Sequence, residues 1–150
     1  MSDNLRDRLV KEEEFRKFPY QDSRGIWTIG VGHNIEVDFD MKNKLGVLLK
    51  NGLTTEEVYR LLDKDIEKAV YNLSLKLPWT NDLDEVRREV LVDMVFNMGI
   101  NKVIRFNNTL NLIKNGKYHE ASENLKLSLW YSQVGVRAKN LCRVLDTGVL

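Results

Sequence analysis

Residues 13–33, Glu13-Glu14-Phe15-Arg16-Lys17-Phe18-Pro19-Tyr20-Gln21-Asp22-Ser23-Arg24-Gly25-Ile26-Trp27-Thr28-Ile29-Gly30-Val31-Gly32-His33, carry a change of hydrophobic period that decides the fold. From Phe18 the period is two: Phe18, Tyr20 and Asp22 share one parity, and Ser23-Arg24-Gly25 is a turn ahead of a second β-rich run. The pattern predicts a β-hairpin. With the turn centred near Arg24, Asp22 and Thr28 fall on one face, and Gly30 and Gly32 allow another backbone or a ligand to come close.

Ahead of the hairpin, Leu5, Leu9 and Val10 form the apolar stripe of a first helix, expected over 3–12, opened by Asp3 or Asn4 as N-cap and ended before Pro19. With Leu5 at zero, helical geometry puts Glu13 at about 80°, inside the stripe, and Glu14 at about 180°, away from it. Of Glu12, Glu13 and Glu14, the middle one is therefore the residue expected to be desolvated.

After the hairpin, 34–49 reads as a short loop and helix, with Asp38, Asp40 and Asn43 as turn or cap candidates, stopped by Asn51-Gly52. Thr54 and Glu57 form a capping box, and Val58, Leu61, Leu62, Ile66, Ala69, Val70 and Leu73 recur at helical spacing over about twenty residues. Asp65 lies in that seam and needs a partner; His33 is the candidate for a structural ion pair, the alternative being that Asp65 reaches solvent from the seam edge. Beyond Pro78-Trp79, Asp82 or Asp84 opens a strongly amphipathic core helix ending at Gly99, followed by helices near 106–115, 118–127 and 136–145. The class is α+β, mostly α. The organisation expected is one domain with a sheet lobe at 13–53, a connecting helix at 54–76, and a helical lobe at 77–150 that takes in the helix at 3–12.

Composition narrows the function classes. Hydrophobic residues at 43% and charged residues at 30%, with 9 Gly and 2 Pro, exclude disordered and low-complexity chains. A single cysteine, Cys142, and two histidines leave no disulfide framework and no Cys/His metal site, and no cofactor is expected. The first seventeen residues hold no apolar run resembling a signal peptide or anchor, which predicts a chain kept in the cytosol. Net charge is +1, but residues 99–150 carry +5 and residues 1–98 carry −4, an imbalance that either attracts an anionic polymer or reflects solvated helix faces.

A half-buried glutamate at a helix end, with Asp22 and Thr28 on a neighbouring hairpin, is an acid/base constellation. Glycoside hydrolysis needs a carboxylic acid that keeps its proton, to protonate the leaving oxygen, and a second carboxylate that stays ionised. Desolvation would hold the proton on Glu13, a wetter turn would leave Asp22 ionised, and the Thr28 hydroxyl could orient a water. Spacing alone leaves open that these are ordinary helix and hairpin residues.

The run from Glu13 through Phe18-Pro19-Tyr20-Gln21-Asp22 and Gly25 to His33 resembles the phage-type lysozymes, glycoside hydrolase family 24, and within them the T-even coliphage group. The resemblance extends through Val86-Arg87-Arg88, Asp93 to Gly99, Trp130-Tyr131-Ser132-Gln133 and Arg137-Ala138-Lys139. It implies a lysozyme-like two-lobed fold with the glycan between the lobes. The implied activity is that of an endolysin, a muramidase cleaving the β-1,4 bond between N-acetylmuramic acid and N-acetylglucosamine of bacterial peptidoglycan with inversion.

By the resemblance, the general acid falls on Glu13, the second carboxylate on Asp22 and the water-positioning threonine on Thr28. Substrate-binding positions fall on Asn34, Phe96, Thr109 and Asn124, with Asn97 a further candidate. Arg137 takes the place of the arginine that approaches the acid, and His33 and Asp65 match a structural ion pair. Also implied are monomeric action on peptidoglycan, storage in the host cytoplasm, access to the wall opened by a separate holin, and neither a nucleic-acid partner nor stable membrane insertion. A lytic transglycosylase and an inactive wall-binding module are the rival readings; a membrane-disrupting segment around Val136–Leu145 is a third. Two departures stand out: the segment from His33 to Thr54 is shorter than in the T-even group, and Glu14 stands where the family often has Gly.

Overall fold

The computed structural model describes residues 3–150, with side chains from Asn4 onward. In chain order it comprises α1 (Asp3–Glu13), β1 (Arg16–Gln21), β2 (Trp27–Gly30), β3 (His33–Asn34), a 3-10 turn (Ile35–Val37), α2 (Phe39–Asn43), α3 (Leu45–Asn51) and α4 (Thr55–Lys76). A 3-10 segment (Pro78–Asp82) then leads into α5 (Glu85–Met98), α6 (Ile100–Val103), α7 (Asn107–Lys114), α8 (Tyr118–Leu125), α9 (Leu129–Val134) and α10 (Val136–Thr147). The fold is α+β and mostly α, as the sequence predicts. Two compact units divide the chain, Met1–Glu67 and Lys68–Leu150, with the boundary inside α4.

In the first unit, the sheet is a three-stranded antiparallel meander in the order β1-β2-β3. Tyr20 pairs with Thr28 and Gln21 with Trp27, which centres the turn on Arg24, as the parity argument requires. Upstream, Arg16 pairs with Gly30, so the register shifts between Arg16 and Tyr20. The buried Pro19 lies in that interval; it has no N–H to give a ladder, and an irregularity is where a strand accommodates it. Ile29, Ile35 and Leu48 form the core beneath the sheet, with Trp27, Met41, Leu45, Leu53 and Leu61 packed against them. Two short helices and a 3-10 turn occupy the stretch expected as one loop and helix.

The α1 helix buries Leu5 and Leu9 completely. Asp3 and Asn4 both lie within the helix, so neither is the residue ahead of it, and the capping position falls outside the described residues. The capping box at α4 forms in both directions: Glu57 N–H donates to Thr54 Oγ1 at 3.1 Å, and Thr54 N–H to Glu57 Oε1 at 3.0 Å.

The second unit is helical and built around α5, which is capped by Asp84. The expected amphipathic pattern is corrected here, since Glu89 through Val95 are buried without a break. The helix is enclosed on nearly all sides, and its Glu89 and Asp93 are interior residues. Arg87 fastens this helix to the end of α10. Its Nε donates to the Leu145 carbonyl at 2.7 Å, one Nη to the Asp146 carbonyl at 3.0 Å, and the guanidinium stacks on Tyr118 at 3.7 Å. These carbonyls are ones that a helix C-terminus leaves without intrahelical donors. No helix among the described residues is long and apolar enough to cross a membrane.

Candidate active site

Glu13 closes α1, and the chain then reverses into β1 through Glu14, the one non-glycine residue with positive φ, +66°, among those described. A helix that ends by such a reversal favours glycine there, because a Cβ crowds the left-handed conformation. The exposed Glu14 instead uses its carboxylate on Arg16, which donates to Oε2 from Nε at 3.0 Å and lies 2.9 Å away through Nη2. Glu14 is thus a solvated neighbour of Glu13. Glu13 is half-buried, and so is Glu12, so burial does not separate those two as the angular argument expects.

The Glu13 carboxyl is seated against Gly32 in the turn after β2. A Cβ placed on Gly32 would lie 2.7 Å from Glu13 Oε2 and 3.1 Å from its Cδ, and Gly32 has φ +68°. Only glycine leaves room there. Gly30, with φ +65°, instead faces Val58 and Leu61 at 3.5 and 3.6 Å.

Asp22 sits at the start of the hairpin turn. Its Oδ1 accepts hydrogen bonds from the N–H groups of Arg24 at 2.8 Å and Ile26 at 2.9 Å, and the Arg24 guanidinium lies 3.9 Å from Oδ2. The Ile26 N–H above all holds the carboxyl below its ordinary range against the opposing effect of desolvation, with the Arg24 N–H and guanidinium adding to the lowering. These contacts favour the ionised form of Asp22. Thr28, buried opposite Tyr20, donates its hydroxyl proton to the Ile26 carbonyl at 2.9 Å.

Asn34 pairs with Thr28 on the other side and caps the 3-10 turn, its Oδ1 accepting from Glu36 N–H at 2.8 Å. His33 pairs with Asp65 as expected, Nδ1 to Oδ2 at 2.7 Å, and the structure adds a second carboxylate, Asp38, 2.8 Å from Nε2. Burial pushes the His33 pKa down, but the hydrogen bonds and charges of Asp65 and Asp38 outweigh it and leave the ring above its ordinary value. Both ring nitrogens face carboxylates, which suits the doubly protonated ring. Asp38 also caps α2, a role its sequence position advertised while its partnership with His33 was not visible. Among the described residues no group of three or more His, Cys, Asp or Glu could hold a metal ion.

The remaining expected positions lie in the second unit. Thr109 donates to Asn124 Oδ1 at 2.6 Å, and the two line a recess of about 370 Å³ with Arg105, Phe106, Asn108 and Ser128. Asn97 accepts a bond from the Trp130 indole N–H at 3.0 Å, and Trp130 meets Phe106 edge-on. Phe96 is half-buried on α5 and does not line the recess. Arg137 has a partner that the sequence reading missed: its Nε donates to Asp93 Oδ1 at 2.9 Å and Nη2 lies 2.8 Å from the same oxygen, with Asp93 fully buried. A carboxylate on the inner side of a core helix was the available signal.

A profile described as phage lysozyme matches residues 10–143. A probable T4-type lysozyme of Dictyostelium discoideum is 30% identical over all of this chain and 98% of its own length. An endolysin of Salmonella phage P22 is 36% identical over 66% of this chain and 63% of its own. The pre-baseplate central spike protein of Enterobacteria phage T4 is 28% identical over 98% of this chain, which corresponds to 28% of that longer protein.

Proposed function

The chain belongs to the phage lysozyme family, and from that premise we propose that it is an endolysin hydrolysing the β-1,4 bond between N-acetylmuramic acid and N-acetylglucosamine of bacterial peptidoglycan. The observation that carries this reading is a pair of carboxyl groups in unlike surroundings. Glu13 is half-buried against Gly32, and Asp22 is held ionised by two backbone N–H groups. That asymmetry is what an acid and a second carboxylate need in order to divide the work.

In this mechanism Glu13 gives its proton to the leaving glycosidic oxygen as the bond to the anomeric carbon breaks. A water held by Asp22 and Thr28 attacks from the opposite face and passes its proton to Asp22, so the configuration inverts. Asn34, Phe96, Asn97, Thr109 and Asn124 are proposed to contact the sugars, the Thr109–Asn124 recess offering hydroxyl and amide groups to an acetamido-sugar. Arg137 is proposed as a supporting cation positioned by Asp93, and His33 with Asp65 as structural support. The division into a sheet lobe at 13–53, a connecting helix at 54–76 and a helical lobe at 77–150 with 3–12 belongs to the same proposal. So do monomeric action, cytoplasmic storage before lysis and dependence on a holin. Similarity to a phage endolysin supports the lytic role.

The test is the release of muramic reducing ends from purified peptidoglycan by the wild type and by Glu13→Gln. New reducing ends from the wild type alone support hydrolysis with Glu13 as the acid. Anhydro-muramyl ends indicate a transglycosylase, and binding without cleavage by folded wild type indicates a wall-binding module.

A further inference from the structure

We infer that Tyr20 is a positioning residue of the hydrolytic reaction, its hydroxyl donating a hydrogen bond to the water held by Asp22 and Thr28. This rests on the proposed hydrolysis and adds a group to it. Three observations place the phenol. The register sets Tyr20 directly across from Thr28, and strand alternation puts it on the same hairpin face as Asp22. Its ring is held from one side by the Arg16 guanidinium at 4.5 Å, which is itself anchored to Glu14. The side chain is half-buried, and its hydroxyl has no hydrogen-bond partner among the described residues.

The hydrogen-bond inventory of the water gives that hydroxyl its role. Asp22, ionised, only accepts, and Thr28 has committed its proton to the Ile26 carbonyl and so also only accepts. A water held by those two groups spends both hydrogens on them. One of its lone pairs must point at the anomeric carbon, and the other is left for a donor. Tyr20 is the phenol on that face with a proton to give. Burial above all, with the charges of Glu13, Glu14 and Asp22 and against Arg16, raises its pKa, so the phenol keeps its proton. During the reaction that proton stays on Tyr20. The water oxygen forms the bond to the anomeric carbon, the bond to the leaving oxygen breaks, Glu13 supplies the leaving group's proton and Asp22 receives the water's.

Tyr20→Phe keeps the ring and the Arg16 stacking and removes only the donor. On purified peptidoglycan, kcat is expected to fall about tenfold, the worth of one hydrogen bond, with KM within about twofold and the thermal midpoint unchanged. Purely structural support would instead lower the thermal midpoint and the active fraction together. A Tyr20→Phe variant with wild-type kcat, or one whose loss follows its loss of folded protein, overturns the inference while the proposed function stands. No cleavage by the folded wild type overturns the function and this inference with it.

Discussion

Glu14 carries the clearest local strain in the first unit. Replacing it by glycine relieves a left-handed backbone at φ +66° and gives up only an exposed pair with Arg16. Glu14→Gly is therefore expected to raise stability by about 1 kcal/mol, or a few degrees in thermal midpoint, measured by calorimetry. Gly32 and Gly30 make a complementary pair. Both have positive φ, so alanine at either costs about 1 kcal/mol in backbone strain, but only at Gly32 does the new methyl strike the Glu13 carboxyl. Gly32→Ala is expected to lose at least about tenfold more kcat than Gly30→Ala at similar stability, in reducing-end assays of the two purified variants. Equal losses would show that the seat of Glu13 is unimportant.

At the scale of elements, the hairpin face carrying Asp22 and Thr28 and the capped start of α4 were legible, because a turn triplet and a capping box are local and each fixes its register. The shift around Pro19 was not, since period-two alternation continues through it. Partnerships across long stretches of chain were legible only where a lone polar residue interrupted a seam. Asp65 did so and pointed to His33. Asp93 did not, because α5 is buried on nearly all sides and offers no single apolar seam for a polar residue to interrupt. Asp38 was read by its cap and not by its second oxygen. The His33 cluster makes a pH prediction. The ring's raised pKa means its stabilisation is complete below about pH 6.5, its ordinary value, and fades as pH rises through the folded value. Asp38, shifted below its ordinary range by His33 and the α2 N–H groups against the effect of burial, contributes above about pH 3.8 and loses that contribution in acid. His33→Gln is expected to cost about 2 kcal/mol near pH 5.5 and clearly less at pH 9, in urea titrations of both proteins. A penalty that does not change with pH would remove the charge from the explanation.

For the molecule as a whole, the second unit depends on the tie from Arg87 to the end of α10. Its three attachments, two carbonyls and an aromatic face, are lost together in Arg87→Ala, which is expected to cost about 2–3 kcal/mol and leave the kcat of the folded fraction unaltered. The proposed bond cleavage is assigned to the other unit, with its chemistry divided between Glu13 seated against Gly32 and Asp22 held by the N–H groups of its own turn. In the proposed mechanism Asp22 and Thr28 hold the water, and that water enters opposite the leaving group. The most direct test is proton NMR of the first reducing ends released from a soluble peptidoglycan fragment, before the anomers equilibrate. The arrangement of Glu13, Asp22 and Thr28 predicts the α anomer from the β-linked substrate, whereas a β product would mean a covalent intermediate or a reaction on the same face and would contradict the roles assigned to Asp22 and its water.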